Sequence, residues 1–108
     1  MARIPTRMHG PAAVSNAAAT KYTVPATTKS VVRHIHVSNT AASAVNFTLS
    51  IGTDAAGVRI FDAIPIAAST PLDHFCYYVM AAAEIVQAFG SVNNQLVLTI
   101  DGDEIVLG

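Results

Sequence analysis

Residues 31–51 contain two consecutive runs in which apolar and polar side chains alternate, a period of two that is typical of β-strands. In the first run the alternating sets are Val31, Arg33, Ile35 and Val37 against Val32, His34, His36 and Ser38. In the second run the sets are Val45, Phe47, Leu49 and Ile51 against Asn46, Thr48 and Ser50. Successive side chains of a strand point to opposite faces, so the second run predicts a core face around Phe47 and a polar surface face.

The two runs are joined by small and polar residues, Ser-Asn-Thr-Ala-Ala-Ser at positions 38–43, which favour a turn. We therefore interpret the runs as an antiparallel pair with one buried face. A sheet with one apolar face needs a cover, and the remaining strand-like segments can supply a second sheet. The chain is predicted to be all-β, an antiparallel, jelly-roll-like β-sandwich of about eight short strands with an extended N-terminal arm.

Six further segments have strand-like composition and are separated by turn residues, namely residues 21–25, 58–66, 72–80, 84–89, 95–101 and 104–107. Pro65 confines its segment to a sheet edge or a bulge, because proline cannot donate a backbone hydrogen bond. Asp101 and Gly102 predict a tight turn between the last two strands. Residues 81–88 have helix-favouring alanines, but a single short helix would lack a packing partner, so we predict a turn at 81–83 and then a strand.

Composition limits the classes of function. Charged residues make up 12% of the chain and hydrophobic residues 52%, with a net charge of −1. A nearly neutral chain lacks the basic surface of a nucleic-acid binder, and no apolar run approaches the about 20 residues of a membrane-spanning helix. Cys76, the single cysteine, cannot form an intrachain disulfide. A surface so poor in charge suits contact with other subunits, and the lack of a signal-peptide core predicts synthesis in the cytoplasm.

Residues 1–19 differ from the rest of the chain. Pro5, Gly10 and Pro11 interrupt the segment, and its only formal charges are Arg3 and Arg7. Such a segment buries too little apolar surface to order itself. We therefore predict an arm over residues 1–19 and a sandwich domain over residues 20–108 that stays folded when residues 2–19 are deleted. The expected contacts of the arm with a neighbouring subunit are Arg3, Ile4, Arg7 and Met8.

One pair of side chains could bind a metal. His34 and His36 lie on the same face of one strand, an arrangement that metal-binding cupins use inside a jelly roll, but the glutamate expected shortly after is absent. The candidates for a completing ligand are His74, Glu84 and Glu104. Since so little of a site is organised in the sequence, we expect both histidines to lie on an outer face or in a subunit contact, with no structural metal and no cofactor.

No catalytic constellation is evident. The acidic residues do not form a spacing typical of paired acid and base groups, and no phosphate-binding loop or nucleophile elbow is present. Cys76 is interpreted as a small core residue. Exposed tyrosines could stack on sugars, so a carbohydrate-binding sandwich is an alternative to be weighed, with Tyr22, Tyr77 and Tyr78 as candidates.

The segment from residue 20 to residue 107 resembles a family of small bacteriophage virion proteins. The motifs that carry the resemblance are a Tyr-x-Val-Pro opening at residues 22–25, Val-Val-x-x-Ile-x-Val-x-Asn at 31–39, Thr-Leu-Ser-Ile-Gly at 48–52, Phe-Asp-Ala at 61–63, Ile-x-Gln-Ala at 85–88 and Leu-x-Leu-Thr-Ile at 96–100. The chain departs from the family at residues 81–84, where three alanines stand in a turn that contains a glycine in relatives.

The resemblance implies a structural component of a tailed-phage virion, assembled from multiple symmetric copies and without enzymatic activity. We expect a minor tail protein, with a capsid decoration protein on the head surface as the alternative. The implied partners are other virion subunits and copies of the chain itself, with no nucleic acid and no membrane, and a host surface glycan is a further candidate. The expected location is the virion, after synthesis in the host cytoplasm. A cupin-like metalloprotein is the competing hypothesis from another class.

Overall fold

The computed structural model describes residues 3–107 and confirms the all-β sandwich. The described residues form two antiparallel sheets of four strands each. The strands are β1 (Arg3–Ala13), β2 (Ala19–Thr23), β3 (Thr28–Asn39), β4 (Val45–Ile51), β5 (Arg59–Ile66), β6 (Pro71–Met80), β7 (Ile85–Gly90) and β8 (Leu96–Val106), with one short 3₁₀ turn at Ala56–Val58. Met1, Ala2 and Gly108, at the ends of the predicted arm and sandwich domain, lie outside the described residues.

The strand order defines a jelly roll. The first sheet has the order β1-β8-β3-β6 and the second sheet has the order β2-β7-β4-β5. Strands that follow each other in the chain therefore lie in opposite sheets, with the single exception of β4 and β5. Two Greek-key connections over two packed sheets are the arrangement that jelly rolls share. This order overturns the predicted pairing of residues 31–38 with residues 45–51, because β3 and β4 face each other across the core.

Asn39 explains why the chain crosses between the sheets at that point. Its side chain is buried, and its amide nitrogen lies 2.9 Å from the carbonyl oxygen of Ile66 and 3.0 Å from that of Ser43. Its side-chain oxygen accepts a hydrogen bond from the backbone N–H of Ala41 at 2.9 Å. These bonds satisfy backbone groups that would otherwise be buried without partners, and they hold the 40–44 connection against the end of β5.

The predicted arm is instead a strand of the sandwich. Residues 3–13 form β1, which pairs with β8 from Arg3 opposite Ile105 to Ala13 opposite Val97. One register shift lies between Arg7 and His9, and a second lies between His9 and Ala12, around Gly10 and Pro11. A side chain on Gly10 would lie 2.0 Å from the Leu98 carbonyl oxygen. Met8 and Val14 from this segment are buried in the core. The prediction failed because backbone hydrogen bonds order β1 without requiring many large apolar side chains.

The predicted turn at Asp101 and Gly102 is also wrong. β8 runs without interruption from Leu96 to Val106, so the two predicted terminal strands are one strand. Gly102 is needed for a different reason, because a Cβ atom at this position would lie 2.0 Å from the carbonyl oxygen of Val31 on the neighbouring strand. Glycine inside a strand often marks such a close approach of two backbones.

The core lies between the sheets and contains the predicted face of β4. Val45, Phe47 and Leu49 are fully buried, as the alternation predicts. The polar face of β4 differs from the expectation, since Thr48 and Ser50 are buried as well. The Thr48 hydroxyl accepts a hydrogen bond from the backbone N–H of Ala63, and the Ser50 hydroxyl donates to Asp54. Other large core residues come from β3, β6 and β8, namely Ile35, Val37, Met80, Leu96, Leu98 and Ile100.

Two smaller predictions are confirmed. β5, which contains Pro65, is the edge strand of the second sheet. The 81–84 segment is a turn followed by β7 rather than a helix, and Ala83 has a positive φ of 72° at the position of tightest curvature. Positive φ is costly for alanine and free of strain for glycine, so this turn is one of local backbone strain.

Candidate functional site

A bulge in β3 determines which side chains face outward on the first sheet. The register of β3 shifts between Val32 and His34 against both neighbouring strands. Arg33 is an extra residue relative to β8, whereas relative to β6 the extra residue lies on β6, between Phe75 and Tyr78. Val32 and Ile35 therefore both point into the core, and His34 and His36 both point outward. The prediction that both histidines share one face is confirmed. The predicted set of Val31, Arg33, Ile35 and Val37 on one face is wrong, because the bulge changes the alternation.

The outward histidines meet an aspartate of the neighbouring strand. His36 lies opposite Asp73 in the β3-β6 register. One carboxylate oxygen of Asp73, Oδ1, lies 2.6 Å from His36 Nδ1 and 2.9 Å from His34 Nε2. We call these three residues the His-Asp cluster. Hydrogen bonds from His36 and His34 hold the pKa of Asp73 below its usual range, because they stabilise the ionised carboxylate.

An aromatic ring packs on one side of the His-Asp cluster. The rings of Phe75 and His34 are stacked, with centroids 4.4 Å apart and an interplanar angle of 3°. The two histidine rings are 6.2 Å apart and inclined by 58°. The stacked contact limits the rotation of His34 and keeps its Nε2 directed at Asp73. All three polar side chains of the cluster are partly exposed to solvent.

None of the ligands proposed from sequence completes the cluster. His74 is on the inner side of β6, where its Nε2 lies 2.9 Å from the Tyr78 hydroxyl and its ring contacts Phe61 edge-on. Glu84 is in the turn before β7 and accepts a hydrogen bond from the Ala81 N–H. Glu104 accepts one from the Tyr22 hydroxyl between the sheets. Asp73 was missed because only the β3-β6 register reveals it, and no sequence spacing encodes that register.

Next to the cluster, β6 exposes three large apolar side chains at alternate positions. Phe75, Tyr77 and Val79 are 77%, 59% and 60% exposed, and they alternate with the half-buried Cys76 and Tyr78. We call these three residues the β6 apolar row. Arg33, the bulge residue, places its guanidinium carbon 5.7 Å from the centre of the Tyr77 ring. β6 is the edge strand of its sheet, so on one side of the row the backbone groups are unpaired by any strand among residues 3–107.

The predicted subunit contacts have partners within the chain. Arg3 lies 3.8 Å from Asp103, which Arg33 also contacts at 3.1 Å, and Arg7 lies 3.2 Å from Asp101. Ile4 is exposed, whereas Met8 is buried in the core. These ion pairs connect β1, β8 and β3 across the outer face of the first sheet. The Arg7–Asp101 pair is exposed on both sides and contributes little to stability, whereas the Asp103 carboxylate that Arg3 and Arg33 share is only 10% exposed.

Comparison of the chain with family models, with curated proteins and with solved structures found no match. None of the described residues belongs to a helix of the length and apolarity that crossing a bilayer requires. The likeness to small phage virion proteins therefore continues to rest on the sequence motifs alone.

Proposed function

We propose that this chain is a structural subunit of a tailed bacteriophage virion and that it assembles with copies of itself. The first assignment is a minor tail protein, and a capsid decoration protein on the head surface is the alternative. The sequence resemblance supports the assignment to a virion. The structural observation that supports self-assembly is the β6 apolar row, which lies on an edge strand of the first sheet.

The β6 apolar row has the properties of an interface. A large exposed apolar patch on a small domain usually marks a binding surface, and edge strands of natural monomers are normally protected by charges, prolines or bulges. β6 continues for 10 residues, and its outward positions from residue 75 to residue 79 are apolar. Aromatic residues and arginine are enriched in protein interfaces, so Phe75, Tyr77 and Arg33 form a suitable centre with the His-Asp cluster at its rim.

A second copy of the chain is the occupant that this edge fits. Two β6 strands can pair across a twofold axis, because the same row then meets itself and the unpaired backbone groups gain partners.

Sedimentation velocity over a range of protein concentrations tests the assembly. The unmodified chain should associate, and Val79→Lys should shift the association to at least about tenfold higher concentration, since a lysine on an edge strand disfavours pairing with a second strand and places a charge beside the partner's apolar row. Val92→Lys is the matched control, because Val92 is 46% exposed in the turn before β8 and lies away from β6. A chain that stays monomeric at all concentrations would contradict the self-assembly.

Antibody labelling of purified phage particles tests the virion assignment and separates its two versions. Label on the tail supports the minor tail protein, and label on the head supports the decoration protein. Failure to detect the chain in purified particles by mass spectrometry would contradict both versions.

A further inference from the structure

We propose that the His-Asp cluster is a binding site for a divalent transition-metal ion on the outer face of the first sheet. The proposal goes beyond the assembly function and does not depend on it. It also reverses our sequence-based expectation, which lacked a third ligand. The structure supplies that ligand in Asp73, whose Oδ1 lies between the ring nitrogens of His34 and His36.

The separations of the donor atoms suit a single ion. In a tetrahedral zinc site with bonds of about 2.0–2.1 Å, neighbouring ligand atoms are about 3.3 Å apart. In the His-Asp cluster the three donor atoms lie within 4.8 Å of one another, and the two contacts to Asp73 are 2.6 and 2.9 Å. Side-chain adjustments of up to about 1.5 Å would therefore bring all three atoms to the bonding distance.

The backbone and the packing hold the three side chains in place. His34 and His36 project from the same face of β3, and Asp73 is the register partner of His36 on β6. Both strands belong to one hydrogen-bonded sheet, so strand pairing fixes the backbone positions from which the three ligands project. The stacked Phe75 ring fixes the plane of His34. A site held in this way loses little conformational entropy when it binds an ion.

The donor set determines the class of ion. Two imidazole nitrogens and one carboxylate oxygen suit Zn²⁺, Cu²⁺, Ni²⁺ or Fe²⁺, whereas Ca²⁺ and Mg²⁺ prefer oxygen ligands throughout. The ring nitrogens that face Asp73 would bind the ion through their lone pairs, so any proton they carry must be released. Three protein ligands leave a coordination position for water or for a group from another molecule.

Isothermal titration calorimetry with ZnCl₂ on the untagged full-length chain is the first test. We expect one equivalent of Zn²⁺ to bind. His36→Gln and Asp73→Asn should each weaken the affinity by at least about tenfold, since even indirect partners of metal ligands contribute that much. Asp62→Asn is the matched control, because Asp62 is an aspartate with a 64% exposed side chain on β5, in the other sheet. The control should bind Zn²⁺ as the unmodified chain does.

A second measurement needs no variant. Cu²⁺ added to ¹⁵N-labelled protein should broaden the amide signals of residues 34–36 and 73 first. The proposal is overturned if Zn²⁺ does not bind, if both variants bind it as the unmodified chain does, or if the broadening is centred on His9 or His74. Should a variant fail to unfold cooperatively, the broadening pattern of the unmodified chain decides.

Discussion

The two edge strands of the first sheet, β1 and β6, show opposite ways of ending a sheet. β1 carries two prolines, two register shifts and two arginines that pair with aspartates of β8. β6 has the β6 apolar row and faces outward with Phe75, Tyr77 and Val79. Prolines, bulges and charges discourage the addition of another strand, and an apolar outward face favours it. β1, whose composition least resembles a strand, therefore ends the sheet in a way that discourages further pairing. β6, whose aromatic residues clearly predict a strand, ends it with an edge to which another strand can be added.

Deletion of residues 2–19 tests whether β1 belongs to the fold and should have the largest effect. The deletion removes β1 and the buried residues Met8 and Val14, and it leaves one side of β8 without a partner strand. Small domains have a net stability of only about 5–15 kcal/mol, so we expect the truncated chain to lose cooperative unfolding. Thermal unfolding followed by circular dichroism measures this. An unchanged unfolding temperature would restore the arm as a separate element.

Substitutions in the central strand β4 show how large a stability loss a buried residue causes, and changes on the two edge strands can be compared with it. Phe47 lies on β4, between β5 and β7, and Phe47→Ala should lower the free energy of unfolding by about 3–5 kcal/mol because it leaves a cavity. Thr48→Ala should cost about 1 kcal/mol, since the buried Thr48 hydroxyl no longer accepts a hydrogen bond from the backbone N–H of Ala63. The sequence alone had predicted a smaller cost, appropriate to a surface residue.

Denaturant unfolding of both variants measures these costs. Thr48→Ser is the control because it keeps the hydroxyl. If Thr48→Ala and Thr48→Ser were equally stable, the hydrogen bond to Ala63 would contribute nothing.

Lysine substitutions compare the two edges directly. Ile4 on β1 and Val79 on β6 are 48% and 60% exposed. Val79→Lys should weaken self-association by about tenfold, or about 1.4 kcal/mol, and Ile4→Lys should leave it unchanged. Analytical ultracentrifugation gives both dissociation constants. An effect of Ile4→Lys equal to that of Val79→Lys would mean that β1 also contacts neighbouring copies, as the sequence first suggested for Ile4.

Tyr22 links the second sheet to the part of β8 that β1 covers. Its hydroxyl bonds to Ser30 at 2.7 Å and to Glu104, the register partner of Ile4. Burial, together with the hydrogen bond to Glu104, raises the pKa of Tyr22 to about 12, compared with about 10 in the unfolded chain. The folded state therefore holds this proton more tightly. The resulting stabilisation is complete below about pH 10 and is lost as the pH rises to about 12.

Tyr22→Phe should remove this pH dependence and, at pH 8, lower stability by about 1 kcal/mol because the half-buried hydroxyl bonds are lost. Urea unfolding at pH 8, 10 and 11.5 measures both effects. Tyr77→Phe serves as control, because the Tyr77 side chain is exposed in the β6 apolar row. Parallel losses of stability in Tyr22→Phe and in the unmodified chain above pH 10 would rule out Tyr22 as the titrating group.

Part of the candidate site could be predicted from the sequence. The spacing of His34 and His36 predicted a shared face, and the aromatic residues of β6 predicted a strand. The third member of the His-Asp cluster was not predictable, because Asp73 reaches the histidines only through the register of two strands that are far apart in the chain. The virion assignment and the metal site both remain proposals that the experiments above decide.

The sequence by itself determined the strands from β2 to β7 and the buried face of β4, because a period of two is a local property that side-chain burial imposes on each strand. Only the tertiary structure decided which strands are neighbours, since pairing depends on backbone hydrogen bonds that any residue except proline can form. For that reason β1 paired with β8 despite its composition, and β3 and β4 separated into different sheets. The tertiary structure also decided the bulge at Arg33, because it depends on how β3 pairs with β6 and with β8.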